Sequence, residues 1–212
     1  MTLLLTFEAL EQKTISLQDK VRISKHAAGM VPSKLGLEVG ETIRVEDAIY
    51  ALVTKSANDV AVALAEHLSG TEQRFARHMT LKARALGMRR TNFENASGLH
   101  NKRQVTTAKD MAILSRYLMT KYDHYYHYFS TREYTYQGKT YRNHNTLMRY
   151  YKGMDGLKTG YIRASGFNLA ASARRGDNRI IGVVFGGRTA KSRNAHMAQL
   201  LDRGFREMDS IM

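Results

Sequence analysis

The spacing of apolar and polar positions divides the chain into a helical first half and a strand-rich second half. Residues 1–12, opening "MTLLLTFEAL", predict a helix, with Leu3, Leu4, Leu5, Phe7 and Leu10 too apolar all round for a surface element. "ISLQDKVRIS" predicts a turn into a short strand, and "HAAGMVPSKLGLEVGETIRV" a surface loop or short strands. "VEDAIYALVTK" and "NDVAVALAEHLSG" predict two short helices, the second stopped by Gly70. "TEQRFARHMTLKARALG" is amphipathic, opened by Thr71 with Glu72 in its first turn and closed by Gly87. "TTAKDMAILSRYLMTKY" adds a helix with Asp110 near its start. The period then changes. "REYTYQGKTYRN" alternates around Gln137-Gly138, the signature of a hairpin. "DGLKTGYI", "GFNLAASARR" and "RIIGVVFGG" predict three strands, the last two joined across "GDN", and "TAKSRNAHMAQLLDRGF" predicts a helix. Together these elements predict an α+β layered domain.

Composition narrows the partners. The 212 residues carry 33 Lys and Arg against 19 acids, a formal charge of +14 that favours anionic partners. The basic residues are spread along the chain with no RNA-binding signature, zinc-finger spacing or basic zipper, so a solvated basic surface is expected and nucleic acid is not. Cysteine is absent, which rules out disulfides and thiolate chemistry. No apolar run is long enough to span a bilayer, and the opening stretch lacks the basic leader and cleavage site of a signal peptide. Neither a Pro- or Ser-rich linker nor a repeat marks a boundary, so residues 1–212 read as one domain.

Two stretches carry candidate chemistry. In "TKSAND", Ser56 and Asn58 are two apart and face one cleft only if the helix breaks between the flanking segments. Either residue type also serves simply at a cap, with Asn58 or Asp59 opening the second helix. In "DGLKTGYI", Lys158 brings positive charge, Thr159 a hydroxyl, and Gly160 an absent Cβ that lets a ligand backbone approach. An edge strand of this kind pairs with an extended peptide while Lys158 and Thr159 hold a carboxylate. An ordinary strand ending at a turn would carry the same letters.

The order S-x-N, then about a hundred residues, then K-T-G is that of the second and third signatures of the serine acyltransferases that handle penicillin. With "VEDAIYALVTKSANDVAVALAEHLSG", "NASGLH", "TTAKDMAILSRYL", "GMDGLKTGYIRASGFNLAASA" and "VFGGRT", the chain resembles the D-alanyl-D-alanine carboxypeptidases, the low-molecular-mass penicillin-binding proteins, over nearly its whole length. "SAN" and "NASGLH" favour these over the β-lactamases. The resemblance implies a β-lactamase/transpeptidase-like fold, an antiparallel sheet flanked by helices plus a helical lobe. It implies acyl transfer on a peptidoglycan stem peptide, reactivity with β-lactams and no cofactor. Ser56 would relay a proton to the leaving amine, and Asn58 would hydrogen-bond the substrate amide. Lys158 would supply positive potential and help bind substrate; Thr159 would take the terminal carboxylate, with Arg193 a candidate beside it and Arg188 a rival. Arg193 as a solvated helix arginine is the competing expectation. The backbone N–H of Tyr161, next to Gly160, would form half of an oxyanion hole.

The family's first signature, S-x-x-K, with nucleophile and activating lysine, is found at no serine of this sequence. "MTLLLTFEAL" resembles the buried helix that continues from it, so the expectation is a chain that begins one motif too late, with N-terminal strands missing. Such a polypeptide is expected to lack carboxypeptidase activity and to fold marginally. The full protein would work in the periplasm or cell envelope, and the alternative is an inert protein that binds wall peptides. The eight histidines show no metal-binding pattern, and "YDHYYHYF" suggests aromatic packing in a loop.

Overall fold

The computed structural model describes residues 1–210, which form two compact units, 1–105 with 131–143 and 106–130 with 144–210. The first contains α1 (Thr2–Glu11), β1 (Lys20–Arg22), α2 (Lys25–Ala28), β2 (Thr42–Arg44), α3 (Val45–Thr54), α4 (Asn58–Ser69), α5 (Glu72–Ala85) and the hairpin β3 (Glu133–Tyr136) and β4 (Lys139–Arg142). Helix α4 is its centre. Val60 to Ala65 are all buried, and the alternation of alanine with larger residues lets α1, α2, α3 and α5 approach from several sides. Phe7 of α1, Leu64 of α4 and Phe75 of α5 lose all or nearly all contact with water, each contributing roughly 2 kcal/mol. The apolar opening helix is thus a core helix, as its sequence predicts.

Local chemistry sets the boundaries. Thr71 caps α5 by accepting from Arg74 N–H at 3.2 Å, and Glu72 and Lys82 lie in its first and last turns, matching the helix dipole. The β3–β4 turn places Gln137 and Gly138 at φ 48° and 75°, the pair of positive values a two-residue type I′ turn demands. Tyr134 of this hairpin stacks on Tyr50 of α3 at 4.5 Å, and its hydroxyl donates to the Asp47 carboxylate.

The second unit contains α6 (Ala108–Lys121), α7 (Asp123–Tyr126), 3-10 turns at His127–Ser130 and Thr146–Arg149, and an antiparallel sheet of β5 (Met154–Ile162), β6 (Gly166–Arg175) and β7 (Asn178–Gly187). Helix α8 (Ala190–Asp209) follows, opened by a Thr189–Ser192 capping box. Strand order is β5-β6-β7, so β5 is an edge among the described residues. Met197, Leu201 and Phe205 of α8 pack on Leu169, Ala171, Ala173 and Val184 of the sheet. The helix sits so close that a Cβ at Gly182 would lie 2.5 Å from Met197 Sδ. The α+β architecture and every long predicted element are present.

Three short-range expectations need correction. The stretch read as loop or strands from His26 begins inside helix α2, because Ser24 Oγ accepts from Ala27 N–H at 2.9 Å and closes a single turn. "YDHYYHYF" is not a loop but α7 followed by a 3-10 turn, although its rings do pack, with His124–Tyr125 and His127–Tyr128 centroids both 4.2 Å apart. Neither Asn58 nor Asp59 caps α4; the N-cap position is Ala57, without a side-chain cap bond.

Candidate active site

In the first unit the helical stretch does break at "TKSAND". Helix α3 ends at Thr54, Lys55 is its C-cap, and Ser56 follows with φ 55°. This is the left-handed conformation in which helices usually end on glycine, and a side chain there costs roughly 1–2 kcal/mol. Ser56 is therefore a point of local backbone strain. Ser56 is half-buried, and Asn58 at the start of α4 is buried. The Asn58 N–H donates to Ser33 O at 2.7 Å and its Nδ2 to Val31 O at 2.9 Å, so residues 31–33 fix the amide's orientation. Asp59 is fully buried and accepts from the N–H groups of Leu35, Gly36, Leu37 and Val60 at 3.1, 2.9, 3.4 and 2.9 Å. It therefore anchors the 31–37 loop that in turn holds Asn58. The "NASGLH" loop is equally fixed: Asn95 Nδ2 and Gln104 Nε2 both donate to Leu99 O at 2.9 Å, and Thr2 Oγ1 donates to Ala96 O at 2.8 Å.

In the second unit Lys158, Thr159, Gly160 and Tyr161 lie on edge strand β5, opposite Ala170, Leu169, Asn168 and Phe167 of β6. Alternation along the strand puts Thr159 on the Leu169 face, where α8 packs, and Lys158 on the other. A Cβ on Gly160 would meet nothing nearer than 3.8 Å, so no packing within the chain demands glycine there. Tyr161 is exposed, with its ring against Phe167 at 4.5 Å.

Arg193 is not a solvated helix arginine: it is 4% exposed. Its Nε and Nη2 donate to Asn194 Oδ1 at 3.1 and 2.9 Å, and Nη1 donates to Asn168 O at 3.3 Å. Arg188, the rival, is exposed. Lys158 Nζ donates to Thr159 O at 3.1 Å. Burial first, and the Arg193 guanidinium second, push the Lys158 ammonium down to about 8. Burial likewise lowers Arg193. The unit thus concentrates two desolvated cations and a hydroxyl beside an open strand edge, an arrangement suited to a carboxylate. Ser56 and Asn58 belong to the first unit and the other five predicted site residues to the second.

The motifs alone do not single out Asp59, which anchors the loop that holds Asn58, or Asn168 and Asn194, which hold Arg193. For Asn194 a signal exists: it stands at the buried period of Met197, Leu201 and Phe205, where an apolar residue is expected.

A family model described as D-alanyl-D-alanine carboxypeptidase matches residues 1–189. The chain belongs to that family. Among curated members, the D-alanyl-D-alanine carboxypeptidase DacF of Bacillus subtilis is 40% identical over 99% of this chain and 55% of its own length. DacD of Escherichia coli is 36% identical over 84% of this chain and 46% of its own. The chain therefore spans about half the length of these curated carboxypeptidases. Penicillin binding protein 5 of Haemophilus influenzae superposes with a TM-score of 0.92 at 33% identity, covering 97% of this chain and 61% of that one. Penicillin-binding protein D2 of Listeria monocytogenes, in its ampicillin-bound form, gives 0.87 at 31% identity, covering 96% and 84%. These neighbours share the penicillin-binding protein fold with this chain, and among the described residues no helix is long and apolar enough to cross a membrane.

Proposed function

We propose that the chain belongs to the catalytic domain of a serine-type D-Ala-D-Ala carboxypeptidase of the cell envelope, which removes the terminal D-alanine of peptidoglycan stem peptides through an acyl-enzyme. What supports this reading is the family match together with the K-T-G strand, where Lys158 and Thr159 lie on the open edge of β5 and the buried Arg193 is bonded to Asn168 O of the neighbouring strand. In this scheme a serine attacks the carbonyl between the two D-alanines, the amine leaves with a proton relayed through Ser56, and water frees the enzyme. Thr159 and Arg193 hold the carboxylate, and Lys158 supplies positive potential. With Nδ2 committed to Val31 O, the Oδ1 of Asn58 accepts from the substrate amide. The Tyr161 N–H provides one oxyanion donor and the nucleophilic serine's own N–H the other.

The sequence holds no S-x-x-K, so the 212 residues by themselves bind the peptide but form no acyl-enzyme; loss of such a nucleophile costs about 10⁶ in turnover. A fluorescent penicillin tests both parts. It should give no covalent band with this polypeptide. A band should appear when the S-x-x-K-bearing segment of a family member is fused ahead of Met1, and disappear again on Lys158→Ala in that fusion. Labelling of the polypeptide alone, or of the fusion irrespective of Lys158, would refute the assignment.

A further inference from the structure

Arg193 is held by neutral groups. A single carboxamide oxygen, Asn194 Oδ1, receives both Nε–H and Nη2–H, at 3.1 and 2.9 Å, and the third contact is the backbone carbonyl of Asn168. Asn194 is itself 4% exposed and fixed from its other side: Nδ2 donates to Thr146 Oγ1 at 2.9 Å and to Tyr150 Oη at 3.5 Å. A close backbone completes the seat, since a Cβ at Gly187 would come within 2.7 Å of Arg193 Cβ. No carboxylate among the described residues pairs with this guanidinium. The contrast within the same unit is sharp: Arg175 and Arg179, also partly buried, pair with Asp202 and Asp155 at 2.9 and 2.6 Å.

An aspartate would fill the 194 position with the same shape and a stronger acceptor, and it would neutralise the arginine. The carboxamide keeps the geometry and leaves the charge. We propose that Asn194 is a positioning residue that holds the Arg193 guanidinium without quenching it, so that its charge remains available to the carboxylate of a bound peptide. Thr146 and Tyr150 set the orientation of the amide, and Asn194 transmits that orientation to Arg193. The inference rests on the proposed carboxylate-binding role of Arg193 and adds to it the residue that preserves the charge.

The test compares an N-acetylated peptide ending in D-Ala-D-Ala with its C-terminal carboxamide, by calorimetric or NMR titration of the 212-residue chain. The parent should prefer the free carboxylate. Asn194→Asp should keep or raise the melting temperature and lower that preference by about tenfold or more, because like charges then face one another. Asn194→Ser, neutral but too short to hold the fork, should retain more of the preference than the aspartate. A purely structural role predicts the opposite order, with Asp nearest to the parent in both readouts. Full preference in Asn194→Asp, or equal loss in Asp and Ser, overturns the role of Asn194 while leaving the carboxylate site standing. A parent that binds both peptides equally, or neither, overturns the site and this inference together.

Discussion

Replacing Lys158 with methionine should stabilise the protein at neutral pH, because the lysine's charge is held against its own solvation. Lowering a lysine from its usual 10.5 to about 8 is worth about 3 kcal/mol, at about 1.4 kcal/mol per tenfold change in proton affinity. Since the residue keeps partial exposure, that figure is an upper bound. The sign follows from proton linkage. Below pH 8 the lysine is protonated in both folded and unfolded chains, and the full penalty applies. Between about 8 and 10.5 the unfolded chain holds the proton more tightly, so stability contributed at this site rises with pH. Methionine matches the side chain in volume and carries no charge. Urea unfolding should therefore find Lys158→Met more stable than the parent by up to about 3 kcal/mol near pH 7, and by about half as much near pH 9.5. Other groups titrate in that range in both proteins and cancel in the difference. Equal differences at the two pH values, or a variant less stable at pH 7, would refute the claim that a desolvated ammonium sits on β5.

Asp59→Asn should cost about 2–4 kcal/mol in urea unfolding, because the introduced NH₂ would face the N–H groups of the 35–37 loop that now converge on a carboxylate. Gly182→Ala should cost about 1–3 kcal/mol, since the added methyl meets Met197 Sδ and forces the buried Met197 side chain to shift within the core; an unchanged melting temperature would count against the close packing. Ser56→Gly should raise stability by about 1 kcal/mol by relieving a positive φ, and in the S-x-x-K fusion it should slow acylation by penicillin.

Elements with strong periodicity and their own end signals are legible in the amino-acid sequence. Helix α5 announces itself through Thr71, its amphipathic body and Gly87, and the β3–β4 hairpin through Gln137-Gly138 between alternating residues. Helix α2 is not legible in this way. Four residues are too few to establish a period, and what forms it is one hydroxyl bond from Ser24. Asp59 hides its role for a related reason. An acidic residue at a helix start is ordinarily a cap or a dipole partner, whereas here the backbone of a loop more than twenty residues earlier in the chain claims the carboxylate. The K-T-G strand and the S-x-N turn are visible as motifs, but the setting of Arg193 is not. Whether an arginine on a helix is solvated or buried depends on which face meets the sheet, and that is decided by Met197 and Leu201 packing on Leu169 and Val184. Once that face is fixed, the adjacent "RN" at 193–194 is an anomaly within it, and it is there that the polar network lies.

The same desolvation that makes Lys158 costly gives ligand binding a pH dependence of definite sign. In the proposed site a peptide carboxylate beside Lys158 and Arg193 would favour the charged lysine and raise its proton affinity, so the complex would hold a proton that the peptide-free site begins to lose near pH 8. Affinity for the D-Ala-D-Ala carboxylate should be nearly constant below that pH and fall above it, approaching a tenfold loss per pH unit until the complex itself deprotonates. The guanidinium stays charged throughout this range, so some binding persists and the fall levels off. Calorimetry in buffers of different ionisation enthalpy should register proton uptake near pH 8.5, and none for Lys158→Met. The C-terminal carboxamide peptide should show little of this slope, because it brings no charge to stabilise the ammonium. Affinity that is flat from about pH 7 to 9.5, or equally steep for both peptides, would mean that the lysine does not share the carboxylate's site.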